Sequence, residues 1–187
     1  MVMVHTRSNG VFGSSGRSEG SDGSAGTEHK TRSKKKESEL GIKECKAKML
    51  KLLGMRDYTK KMMRDKLLSA GFPEEVVEET IDFGVGKKLL NDNRFADFYI
   101  SAKQEAGWGK QRIERELEEK GVDLDEVPGY PDEYFDDDAE VERAISLVKH
   151  HRVNSKNVRE SHYRYLLSKG YSPSIASKAL RACGIDR

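Results

Sequence analysis

Three glycines, Gly71, Gly121 and Gly170, stand 50 and 49 residues apart, and each closes the same local pattern. The segments are Lys66-Leu67-Leu68-Ser69-Ala70-Gly71-Phe72, Leu117-Glu118-Glu119-Lys120-Gly121-Val122 and Tyr165-Leu166-Leu167-Ser168-Lys169-Gly170-Tyr171. In each, a leucine precedes the glycine by four residues and an apolar or aromatic residue follows it. Glycine lacks the Cβ that makes the left-handed conformation costly, so it is the natural stop of a helix. A fixed period near fifty is the signature of a tandem array of one supersecondary unit. The chain is therefore read as all-α, with three tandem three-helix repeats forming an elongated, curved array. Hydrophobic and charged residues each make up 35% of the chain. That is lean for one large core and suits small helical units that share apolar faces with their neighbours.

The middle unit shows the local logic most fully. Asn91 or Asp92 can accept hydrogen bonds from the free N–H groups that open a helix. Phe95, Phe98 or Tyr99, and Ala102 then recur at helical spacing and are expected to make one apolar face. Gly107 and Gly109 break that helix, with Trp108 in the corner. Ile113 and Leu117 begin a second face, and Gly121 ends it.

The run Leu90-Asn91-Asp92-Asn93-Arg94-Phe95-Ala96, and Gly107-Trp108-Gly109 followed by Ile113, Leu117 and Lys120-Gly121-Val122, resemble the regulatory protein RecX family. The leucine–glycine patterns at Gly71 and Gly170 are similar to that family's first and third repeats, so the resemblance spans about residues 44–185. The family often has proline where this chain has Gln111. The resemblance implies a regulator of DNA repair, homologous recombination and the SOS response. Such a protein binds the RecA recombinase filament on single-stranded DNA. It lies in the filament's helical groove, mainly inhibits ATP hydrolysis and strand exchange, and favours disassembly.

Residues 1–38 are expected to be a disordered Ser/Gly/Lys-rich tail, since Gly10 to Gly26 offers too little apolar surface to offset chain entropy. The repeats are expected over residues 39–88, 89–137 and 138–187, the second ending in an acidic linker. In the first, Ile42, Cys45, Met49 and Leu52 or Leu53 form a stripe. Thr59 suits a helix cap, with Met62 or Met63 and Leu67 inward. Pro73 opens a third helix whose Val76 or Val77, Thr80 or Ile81, and Val85 face the core. In the second, Asp123 to Val127 leaves room only for a stunted third helix. In the third, Val141, Ala144, Ile145 and Val148 lead to Val158, His162, Tyr165 and Leu166. Ser172-Pro173 then starts a last helix containing Ile175 or Ala176, Ala179 or Leu180, and Cys183.

Charge is unevenly spread. Residues 91–138 carry 15 acidic and 6 basic side chains, a net of −9, between basic flanks at +3 (residues 42–90) and +6 (residues 139–187). An acidic middle disfavours wrapping the whole length on phosphate and suits a partner of mixed charge, such as a protein already bound to DNA. Cys45 and Cys183 sit on apolar stripes and are expected as buried thiols in a reducing compartment. With no membrane-length apolar run and no signal-peptide core, a cytoplasmic monomer is expected.

Enzymatic and cofactor readings fail on spacing. Gly107-Trp108-Gly109-Lys110 lacks the glycine spacing and the Ser or Thr of a phosphate-binding loop. His150, His151 and His162 lack a zinc-ligand companion motif, and no serine stands in a nucleophile elbow. The acidic run Asp132 to Asp138 lacks the order of a calcium loop. No catalytic residue, metal or cofactor is expected.

Arg94, Trp108, Lys110 and Arg112 are the candidate contacts to the RecA filament, from charge and position. Trp108 would either pin the corner between two helices or anchor a partner. Lys60, Lys61, Arg64, Arg159, Arg164 and Lys178 are candidates for DNA phosphate or an acidic protein surface, which allows weak direct DNA binding. Two other classes stay open. One is a DNA-binding helical module that acts without RecA; the other is a helical scaffold for a different partner.

Overall fold

Helix boundaries follow the capping residues. The structure, a computed structural model, describes residues 41–154 and 156–185; the tail expected over residues 1–38 lies outside the described residues. Helix α1 covers 41–53 and stops at Gly54. Then come α2 (Lys60–Ser69), α3 (Glu74–Gly86), α4 (Asp92–Glu105) and α5 (Lys110–Glu119). A 3-10 turn (Leu124–Glu126) follows, then α6 (Asp137–His150), α7 (Val158–Lys169) and α8 (Pro173–Ala182). Among the described residues there is no strand.

Side-chain caps accept N–H groups three residues on at Thr59 (from Met62), Asn91 (from Arg94), Asp136 (from Ala139), Asn157 (from Glu160) and Ser172 (from Ile175). Each such cap is worth about 1 kcal/mol. Gly71, Gly121 and Gly170 all take positive φ, at 89°, 79° and 90°, so the recurring glycine does stop the second helix of every unit.

Each unit has its own core. In the first, Cys45, Met49, Met63, Leu67, Val77 and Ile81 are buried together with Leu90. Leu90 packs over Gly84, where a Cβ would stand 2.9 Å from its Cδ1, so the residue before the α4 cap closes the first core. In the second, Ala96, Ile100, Ile113, Leu117, Val122 and Val127 are buried. In the third, Ala144, Val148, Leu166, Tyr171, Ile175 and Leu180 are. The middle unit's third helix is reduced to the 3-10 turn, and Phe135, Tyr130 and Tyr134 fold over the core in its place.

Several expected faces are rotated. Helix α4 buries Ala96 and Ile100, flanked by half-buried Phe95 and Tyr99, while Phe98 and Ala102 are exposed. The apolar stripe was legible as helical, but two overlapping stripes on one short helix cannot be ranked by spacing alone. Val85 and Val158 are likewise exposed, and Gly84 takes the inward place in α3. Cys45 is fully buried; Cys183, at the α8 end, is only half-buried, and both thiols are free. The acidic run resolves into the α6 cap and first turn, with Asp132, Glu133, Asp137 and Asp138 exposed.

At the end of α6 the histidines pair across to α7. His151 stacks on Tyr165 with ring centroids 3.8 Å apart, and its Nδ1 lies 3.4 Å from that of buried His162. Neutral imidazoles tolerate this contact, whereas two imidazolium charges would repel. Burial, and then the charge of His151, hold the His162 pKa below its ordinary 6.5. The unfolded chain therefore takes up this proton first. The stability is intact above about pH 6.5 and is lost as the pH falls below it. Thermal unfolding is expected to show a Tm that drops between pH 7 and pH 5, and His162→Gln is expected to blunt that drop. A wild-type Tm that stays flat over this range would contradict the assignment.

Candidate partner-binding surface

The starts of α2 and α5, the second helices of the first two units, are completed by the next unit. At the first junction the Lys60 N–H donates to Asp92 Oδ1 at 2.9 Å. The Thr59 hydroxyl, which already accepts from Met62, donates to the Lys120 carbonyl at 2.6 Å. The Lys61 ammonium donates to the Glu119 carbonyl at 2.8 Å, and a Cβ on Gly121 would stand 2.5 Å from Lys61 Cβ. The second junction repeats this arrangement. The Lys110 N–H donates to Glu140 Oε1 at 2.9 Å, the Gly109 N–H to the Lys169 carbonyl at 2.9 Å, and the Gln111 N–H to the Gly170 carbonyl at 3.1 Å. A Cβ on Gly109 would lie 2.5 Å from the Gly170 backbone, and one on Gly170 would collide with Arg112.

The carboxylates that serve these helix starts also complement the partial positive charge there. Glu140 is almost fully buried, and its burial raises its pKa against the opposing effects of the Lys110 N–H and Arg143. Tyr171, buried below the same junction, is pushed up to about 12 by that burial, and its hydroxyl reaches the Gly107 carbonyl at 3.3 Å.

Three of the four residues expected to contact a partner meet at the second junction. Trp108 is half-buried, with the Lys103 ammonium 3.7 Å and the Arg112 guanidinium 3.8 Å from its ring centroid. Arg112 also reaches Glu116 and the Ser168 carbonyl, both at 3.3 Å. The Lys110 side chain lies 3.9 Å from Glu114 and 5.5 Å from the Phe135 ring. Arg94 stands apart on α4, 3.8 Å from Asp57 and 3.3 Å from the Leu89 carbonyl. The Trp108 corner is thus held by cations of its own chain, each such contact worth about 0.5–2 kcal/mol.

An ordered rail runs from Trp108 along α4. Tyr99 stacks on Phe95 at 5.5 Å and has the Lys103 and Lys120 ammonium groups each 5.1 Å from its centroid. Its hydroxyl donates to Glu116, and burial with that carboxylate raises its pKa strongly. Burial works against the Glu116 charge, but the hydrogen bonds from Tyr99 and Arg112 and the charges of Lys103 and Lys120 hold its pKa below the usual range. Beside this rail, Phe98 is 65% exposed and opens onto a groove shared with α2. Sequence reasoning had placed Phe98 among core candidates; only its unburied state marks it as a surface residue.

The six residues proposed for phosphate are dispersed, and most are already engaged. Lys60 lies 3.4 Å from Asp92, Arg164 3.0 Å from Glu160 and Lys178 3.5 Å from Asp137. Arg64 grips Glu78 through two hydrogen bonds, Lys61 serves the first junction, and Arg159 is half-buried on α7. Among the described residues no cluster of His, Cys, Asp or Glu is placed to hold a metal ion, and no helix is long and apolar enough to cross a membrane.

Residues 45–83 match the family model described as RecX, first three-helix domain, and residues 91–127 match RecX, second three-helix domain. The chain is 30% identical over 152 residues to the regulatory protein RecX of Clostridium botulinum, covering 75% of this chain and 68% of that protein. The chain belongs to the RecX family. The regulatory protein RecX of Clostridium perfringens is similar at 29% identity over 143 residues, 73% of this chain and 67% of that one. The crystal structure of RecX from Lactobacillus salivarius shares the fold, with a TM-score of 0.66 at 24% identity over 78% of this chain and 97% of that one. The Gln111 N–H bonds the Gly170 carbonyl, a contact that proline at this position could not make.

The junction makes a specific demand on Gly109. Its φ is −85°, which alanine adopts freely, so the cost of Gly109→Ala comes from overpacking against the Gly170 backbone. A loss of about 1–3 kcal/mol is expected, read as a fall in Tm on the order of 5 °C. Gly54→Ala, where a Cβ meets only ordinary contacts at 3.5 Å, is the matched control and is expected to leave Tm unchanged.

Proposed function

We propose that this protein regulates the RecA recombinase by binding the RecA filament on single-stranded DNA, lowering ATP hydrolysis and strand exchange. It acts by binding, in the cytoplasm, as a monomeric helical array and without a cofactor. Two lines support the reading. Family membership brings relatives that are named regulatory proteins. The observation that carries it within the chain is the aromatic and cationic surface of α4 and the α4–α5 turn, where Phe98 stays exposed beside Lys103, Lys120 and the Trp108 corner. Aromatic side chains and arginine are enriched in protein-binding patches, and Phe98, Trp108 and Arg112 supply them here. In this reading Arg94, Trp108, Lys110 and Arg112 shape and flank the contact face. The array lets several weak contacts to successive protomers add through effective concentration.

The alternative, direct binding to naked DNA through Lys60, Lys61, Arg64, Arg159, Arg164 and Lys178, is disfavoured by the carboxylates already paired with four of them. The deciding assay is DNA-dependent ATP hydrolysis by RecA on single-stranded DNA, titrated with this protein. Inhibition at substoichiometric ratios is expected. No effect at equimolar protein, together with naked-DNA binding that weakens log-linearly with salt, would replace the filament reading with the DNA-binding one.

A further inference from the structure

We propose that the groove between α2 and α4, walled by Phe98, is the docking site for an acidic protein segment carrying one large apolar anchor side chain. The inference rests on the filament reading, in that the partner is a protein, and adds the chemistry by which it is recognised. The groove has a volume of about 300 Å³, at the lower end of the range for ligand pockets and large enough for one large side chain. Its apolar wall is Met62 from α2 with Phe95, Phe98, Tyr99 and Ala102 from α4. A single exposed apolar residue needs no explanation; here exposed Phe98 and Ala102 stand with half-buried Met62, Phe95 and Tyr99 in one concavity that bridges two units. Met55, next to the groove residue Arg56 in the chain, is also 76% exposed.

Charge decides the occupant. Arg56 and Lys120 line the groove; Lys103, farther along Tyr99, is paired with Glu116 at 3.8 Å. The one acidic lining residue, Asp57, is 3.8 Å from Arg94, so its charge is locally offset. Lys120 stands in a segment whose net charge is −9, and Arg56 comes from the preceding segment at +3. An anionic partner segment is therefore attracted here although the middle unit as a whole would repel it. Single-stranded nucleic acid is the less suitable anion. Binding it without sequence preference needs several free ring faces for successive bases. Here the Tyr99 ring is stacked on Phe95 and approached by two ammonium groups, and Trp108 is covered by Lys103 and Arg112, which leaves Phe98 alone.

The test uses the full chain. Phe98→Ala and the charge reversal Arg56→Glu with Lys120→Glu are compared with wild type for binding to RecA filaments on single-stranded DNA, and in parallel to the naked oligonucleotide. Thermal unfolding checks that each variant is folded. Phe98 is exposed, so its truncation is expected to leave Tm unchanged while weakening filament binding about tenfold. The charge reversal is expected to weaken it by at least as much and to flatten its salt dependence; binding to naked oligonucleotide is expected to stay as it was. Wild-type filament affinity in both folded variants would overturn the groove and leave the filament reading standing. A loss confined to the naked oligonucleotide would reassign the groove to nucleic acid. Failure of the wild type to bind filaments would overturn both readings.

Discussion

The first N–H groups of a helix have no partner within the helix, and here the neighbouring unit supplies one. Asp92 serves α2 and Glu140 serves α5, each through a bond of 2.9 Å from the N–H of the first residue of the helix. The carbonyls at the end of the neighbour's own second helix, Lys120 in one case and Lys169 with Gly170 in the other, complete the contact. A backbone group left unpaired at a buried contact would cost about 1–3 kcal/mol, so the units are held in register by necessity as well as by apolar packing. The recurring glycine has two tasks in consequence. It ends a helix in the left-handed conformation, and at Gly121 and Gly170 it leaves the space into which Lys61 and Arg112 pack.

Several charged residues are thereby absorbed into architecture. Lys61 and Arg112 bond carbonyls across junctions, and Glu140 is buried as a helix-start acceptor. The acidic excess of the middle segment lies at the starts of α4 and α6, on the exposed turn before α6, and along α5, where Glu116 and Glu114 accept from the Tyr99 and Tyr130 hydroxyls. The groove wall of α4, with Phe98 and Ala102 exposed beside Lys120, is more apolar than the composition of its segment. This is why average charge was a poor guide to the surface that a partner meets.

Much of the fold was legible locally. Thr59, Asn91 and Ser172 read as caps and act as caps; Pro73 and Pro173 stand at helix starts; the three glycines stop three helices. These are interactions between residues three or four apart, so a sequence window contains both partners. The candidate site was less legible. Trp108, Lys110 and Arg112 were singled out together and do lie together, but their partners, Glu140, Ser168 and Gly170, come from a unit 30 to 60 residues away. Helical spacing admits either Phe98 or Tyr99 on the inward face; Tyr99 is half-buried and Phe98 exposed.

The sequence by itself determined that the chain is helical, where its helices begin and end, and that one unit recurs with a period near fifty residues, since capping, glycine conformation and periodicity are short-range properties. Only the tertiary structure decided which apolar stripe of α4 turns inward. Ala96 and Ile100 are small and smooth enough to pack beneath α5, against Ile113 and Leu117, and that choice leaves Phe98 in solvent. It also decided which charges are structural, because Asp92 and Glu140 become acceptors for α2 and α5 only where a different unit presents an open helix start within 3 Å of them.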